Sequence, residues 1–138
     1  MPMSELITRP VRDELKKMGL EELRTPADVD QALGESTGTV LVAVNSMCGC
    51  AAARMRPAVA QAVKHGKRPD RLTTVFAGQD LDATDRAREY FTGYPPSSPS
   101  VALLKDGKLI YMMERREIEG RRPEQIAQTL KDAFERFC

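Results

Sequence analysis

The sequence predicts one α/β domain of 138 residues, a central mixed sheet flanked by helices and preceded by a helical N-terminal extension. Three observations predict it. The run Thr39-Val-Leu-Val-Ala-Val-Asn45 is β-branched and apolar at successive positions, the pattern of a strand buried on both faces. A second such run, Arg71-Leu-Thr-Thr-Val-Phe-Ala77, follows a helical segment, and another helical segment follows it, giving a βαβα order in which the two strands run parallel. Asp106-Gly107, set between Ser100–Lys105 and Lys108–Met113, is the strongest short signal for an antiparallel hairpin. The expected division is 1–36 for the N-terminal helices and 37–138 for the core.

The elements follow in order. Thr8, Pro10 and Gly19 bracket a first helix with Val11, Leu15 and Met18 along one face. Thr25 caps a second, with Pro26 in its first turn, Asp28 at the capping-box position and Gly34 as the stop. After the first strand a helix runs from Gly49 to His65 and stops at Gly66, kinked at Pro57. Asp82 and Asp85 open a helix that reaches Tyr90 or Phe91. Thr92–Pro99, with three prolines and a glycine, is a loop. Pro123 opens the last helix, whose Ile126, Ala127, Leu130, Phe134 and Phe137 form one apolar stripe. The sheet expected from this reading has four strands.

Composition narrows the function classes. Twenty-one basic side chains against 20 acidic leave a net charge of +1, which gives no electrostatic case for nucleic acid or a membrane surface. Arg115, Arg116, Arg121 and Arg122 do cluster, but Glu114, Glu117, Glu119 and Glu124 interleave with them. The longest uninterrupted apolar run, Val40 to Val44, is far short of the roughly 20 residues that span a bilayer. Met1–Pro10 lacks the basic and apolar regions of a secretory signal, so the expected address is cytoplasmic. Three cysteines are too few for a disulfide framework and are either inert or chemical.

The chemistry is expected at Cys48-Gly49-Cys50. A strand leading into this triplet and then into a helix puts two thiols at the helix N-terminus. There, unpaired N–H groups and the positive end of the dipole stabilise a thiolate, the nucleophilic form. No acidic residue lies between Glu35 and Asp70, whereas Arg54, Arg56, Lys64, Lys67 and Arg68 do. Cys48, nearer the helix entrance, is assigned the attack and Cys50 the resolution; Arg54 is the residue expected to hold an anionic thiol substrate. A disulfide across one residue closes a tight ring, which suits thiol exchange, isomerisation or clearing mixed disulfides.

Plainer readings compete. The pair could be buried structural cysteine, or Cys48, Cys50, His65 and Cys138 could hold zinc. Their spacing argues against zinc, since His65 lies about 22 Å along the helix from Cys50. His65 beside Gly66 reads as a C-terminal helix residue favoured by the dipole. Cys138, the last residue, reads as frayed and exposed, with a weak homodimer through it left open. No metal and no cofactor beyond the dithiol is expected.

Three separated motifs, Asn45 to Pro57, Tyr94 to Gly107 and Ile118-Glu-Gly-Arg121, together resemble the bacterial bacilliredoxins over most of the chain. The resemblance implies a thioredoxin-like fold and reduction of protein mixed disulfides with bacillithiol or a similar low-molecular-weight thiol, Cys48 attacking. It implies also that Ser98-Pro99 is a cis-proline loop facing Cys48, on which an extended substrate pairs. The chain departs from the expected pattern just before Ile118, where Arg115, Arg116 and Glu117 stand in place of a histidine. The alternatives are a protein disulfide isomerase and a metal-binding module of the same fold.

Overall fold

The computed structural model describes residues 3–138. Strand β2 (Thr39–Asn45) has all seven residues buried, which puts it in the middle of the sheet. β3 (Arg71–Phe76) pairs with it in parallel and β4 (Ser100–Lys105) antiparallel. β5 (Lys108–Met113) returns along β4 through the expected two-residue turn, where Asp106 and Gly107 take φ of 50° and 80°. Such a turn matches the twist of the strands only when both residues are left-handed. A fifth strand, β1 (Glu21–Glu22), extends the sheet at β3, so the order is β1-β3-β2-β4-β5 rather than the four strands expected. Two residues are too few to carry a period-2 pattern.

Alternation along β2 sends Leu41 and Ala43 to one face and Val40, Val42 and Val44 to the other. The first face packs on Met55, Val59 and Ala62 and on Ile126, Leu130 and Phe134. The second packs on Val29, Leu33, Ala83 and Ala87. Both faces of the sheet are thus covered by helices.

Helix α1 (Glu5–Lys17) starts earlier than expected, from an N-cap at Ser4, and takes Pro10 into its interior. Its buried face is Thr8, Arg12 and Leu15; of the apolar stripe expected, Leu15 is buried and Met18 packs against the core, while Val11 gives way to the charged Arg12. Arg12 tolerates burial because its guanidinium meets Glu22 at 2.8 Å and Asp80 at 2.6 and 3.0 Å, with its charge over the Phe76 ring. The same contact moves the next boundary. α4 (Leu81–Glu89) has its N-cap at Asp80, not Asp82, and Asp80 makes no side-chain cap because Arg12 holds its carboxylate.

Helix α2 (Pro26–Val29) is capped as expected, Asp28 N–H donating to Thr25 Oγ1, and runs on through a wide-turned segment to Gly34. Gly49 and Cys50 open the next helix. Its segment Ala51–Met55 is wound wide, with Arg56 N–H bonding the Ala51 carbonyl five residues back, before α3 (Arg56–Ala62) begins. Pro57 lacks an N–H and its ring crowds the preceding turn; the wide turn is how the helix accommodates it. α3 ends at Ala62, and the chain leaves through turn bonds at Val63, Lys64 and His65 rather than continuing to Gly66. One turn, α5 (Arg115–Ile118), was not expected; the Glu117 carboxylate caps it by accepting the Glu114 N–H at 3.2 Å. α6 (Pro123–Phe137) opens at Pro123 with its stripe on the core, Phe137 lying 6.1 Å from the Tyr111 ring.

Candidate active site

Buried β2 must surface after Asn45, and the residues that turn it outward are Ser46, Met47 and Cys48. Cys48 is the first residue before the helix, and its carbonyl accepts the N–H groups of Ala51 and Ala52, both at 3.2 Å. The Ser46 hydroxyl donates to Cys48 Sγ at 3.1 Å and accepts the Cys48 N–H at 3.4 Å, so one side chain fixes both ends of this cysteine. Partial burial pushes the Cys48 thiol up. The Ser46 hydroxyl, then the N–H groups of Ala51 and Cys50, and the Arg115 charge outweigh it, and the thiol lies below its ordinary value.

Ser46 is itself held from beneath. Buried Arg56 donates Nη1 to Asn45 Oδ1 at 3.0 Å and to the Ser46 carbonyl at 3.1 Å, and its Nε lies 3.1 Å from the Glu14 carboxylate of α1. Arg56 fixes the strand end on which the thiol stands.

The loop before β4 meets this strand end because Val44 pairs with Ser100. The Ser98–Pro99 bond in it is cis. Arg115 ties the two parts together: Nη1 donates to the Ser98 carbonyl at 3.1 Å, Nη2 lies 3.9 Å from Cys50 Sγ, and Nε pairs with Glu119 at 2.7 Å. Arg54 is elsewhere, donating to the carbonyl of Arg121 and so anchoring the helix to the segment after α5.

The remaining candidates are dispersed. His65 Nε2 pairs with Glu135 at 2.8 Å. Cys138 is not frayed: its N–H bonds the Phe134 carbonyl, its side chain packs on the core, and burial pushes its thiol up. It lies by Thr39, at the opposite end of β2 from Cys48, about 20 Å away at 3.3 Å per strand residue. Among the described residues no three His, Cys, Asp or Glu side chains gather as metal ligands. Sequence reasoning missed Ser46 and Arg115, and counted Arg56 only among the charges near the thiols. Ser46, two residues before Cys48, offered a local signal; Arg115, 65 residues from Cys50, offered its place in a charge cluster and a departure from the family pattern, neither of which gives its contacts.

A cysteine thiol at the first turn after a central strand, across from a cis-proline loop on a mixed sheet, is the architecture of the thioredoxin fold. Solved structures agree. Fasciola hepatica thioredoxin superposes with a TM-score of 0.59 at 18% identity, over 86% of this chain and 100% of that one. Mitochondrial thioredoxin 3 of Saccharomyces cerevisiae does so at 0.56 and 17%, over 83% and 95%. Sequence is more specific. The profile of the family described as disulphide isomerase matches residues 3–138. A bacilliredoxin of Geobacillus kaustophilus is 56% identical over 137 residues, 99% of this chain and 94% of the relative. One from Koribacter versatilis is 52% identical over 134 residues, 97% and 92%. The chain belongs to the bacilliredoxin family, and it is a thiol–disulfide oxidoreductase of thioredoxin fold. No helix among the described residues is long and apolar enough to cross a membrane.

Proposed function

We propose that the protein clears mixed disulfides between proteins and a low-molecular-weight thiol of the bacillithiol kind, through Cys48 and Cys50, in a cytoplasm that supplies that thiol. The observation that carries this reading is the Ser46 hydroxyl on Cys48 Sγ at the helix entrance, which gives one of the two thiols the anionic character that exchange needs. Cys48 attacks the small-thiol sulfur, the protein thiolate leaves and takes a proton from water, and the small thiol remains on Cys48. Cys50 or a second small thiol then resolves the adduct.

Ser98 and Pro99 present the backbone on which an extended protein segment pairs in the manner of an added strand. Met47 beside the thiols and Tyr94 in the proline loop, both exposed, supply apolar contact for it. The description of the matching family favours a second reading, disulfide isomerisation of proteins. One experiment separates them: turnover of a protein carrying a small-thiol mixed disulfide, beside refolding of a protein with scrambled disulfides. The proposal expects Cys48→Ser to abolish the first activity and Cys50→Ser to retain the initial attack. Scrambled-disulfide refolding without removal of the small thiol would favour the isomerase.

A further inference from the structure

The two thiols share the Arg115 charge but not their hydrogen bonds. Cys48 has the Ser46 hydroxyl and two backbone N–H groups, and Arg115 contributes to it after these. Cys50 Sγ has the Arg115 guanidinium at 3.9 Å. That guanidinium is held in place by its own surroundings, with Nη1 on the Ser98 carbonyl and Nε on Glu119, and about two-fifths of the side chain is open to solvent. Of the neighbouring acids, Glu114 pairs with Arg116 and Glu117 caps its own turn, so neither competes for Arg115.

We infer that Arg115 serves the second exchange rather than the first: it stabilises negative charge on the Cys50 sulfur as that sulfur attacks, while Ser46 serves Cys48. The inference rests on the proposed mixed-disulfide chemistry. After the first attack the small thiol is bonded to Cys48. Cys50 gives its proton to water, its sulfur attacks Cys48 Sγ, a Cys48–Cys50 bond forms, and the bond to the small thiol breaks so that it leaves as a thiolate. The protein dithiol loses the two electrons that the substrate disulfide gains. With the Cys48 charge consumed in the adduct, the guanidinium is left facing the sulfur that must now become anionic. Its bond to the Ser98 carbonyl keeps it at the mouth of the site throughout.

The test separates the two steps in single turnover. Reduced protein is mixed with a model protein carrying glutathione in a mixed disulfide, and the adduct on the enzyme is followed by quenched-flow mass spectrometry as it forms and decays. Arg115→Gln removes the charge and, with a side chain two atoms shorter, also gives up the bond to the Ser98 carbonyl, which is why the lysine variant is needed to isolate the charge. It is expected to slow adduct decay about tenfold while changing adduct formation less than about threefold. The loss is smaller than the 10²–10³ for deleting a buried oxyanion donor because this charge is half exposed and screened. Arg115→Lys is expected to restore most of the decay rate. Equal slowing of both steps in Arg115→Gln, or a lysine variant no faster than the glutamine one, overturns the inference and leaves the proposed function intact. Absence of any glutathione adduct on the wild-type protein, with the substrate left unreduced, defeats the proposed function and the inference with it.

Discussion

Replacing Ser46 with alanine tests the account of the thiol at its origin. The hydroxyl donates to Cys48 Sγ at 3.1 Å and also receives the Cys48 N–H; its removal costs both forms the N–H bond but takes from the anion a donor that the neutral sulfur needs far less. A hydrogen bond to a charged partner is worth about 1.5–3 kcal/mol, and water reaches half-buried Cys48 to replace part of it, so the lower figure applies. That is close to a tenfold change in the thiolate population on the acidic side of the midpoint. The sign follows from the direction of the shift. Cys48 lies below the ordinary thiol value, so it is the thiolate fraction on the acidic side of that value that the variant loses. The assay is the rate of alkylation against pH in a Cys50→Ser, Cys138→Ser background. The Ser46→Ala profile should move toward alkaline pH by about one unit, be about tenfold slower on the acidic side of the parent's midpoint, and converge with the parent at high pH where both are ionised. A midpoint that does not move would refute the role given to Ser46.

Three further outcomes follow from the same structure. In a Cys48→Ser, Cys50→Ser variant, burial holds the Cys138 thiol up, so its alkylation midpoint should lie above that of a free thiol; a midpoint at or below that value contradicts its packing against the core. Arg12→Met leaves Glu22 with Lys16 and Asp80 with Arg24 as their remaining cations and should cost about 2 kcal/mol by denaturant unfolding, below the roughly 3–5 kcal/mol for a buried charge left wholly unpaired; a loss under about 1 kcal/mol shows that the pair adds little. Gly49→Ala meets nothing within 4 Å and no left-handed backbone, so it should fold with stability unchanged or raised by about 0.5 kcal/mol; unfolding of this variant would show that the fold itself needs the glycine.

The parts of the fold set by local chemistry were legible in the sequence. The apolar run of β2, the Asp106-Gly107 turn, the Thr25 cap and the Pro123 helix start each carry their cause within a few residues. What escaped depends on partners far along the chain. Asp80 replaces Asp82 at the start of α4 because Arg12, 68 residues away, fixes its position. α1 buries Arg12 for the same reason, which periodicity could not show even though it placed Leu15 and Met18 on the core side. The site divides likewise. Its thiols were readable from the strand-to-helix junction, whereas the nearby sequence charges were misleading: Arg56 is spent on Asn45 and Ser46, Arg54 on Arg121, and the cation beside the sulfurs comes from a single turn that no pattern announced. The departure from the family pattern around Arg115 marked that turn without revealing its contacts.

The central claim is that Cys48 takes the small thiol from a protein. The direct measurement is peptide mapping by mass spectrometry after the Cys50→Ser variant meets a glutathionylated protein. The account predicts one glutathione, 305 mass units by the chemistry of the adduct or roughly so, on the peptide that holds Cys48, with the substrate protein released as a free thiol. Glutathione found on Cys138, or a substrate that stays modified while Cys48 remains a free thiol, would contradict it.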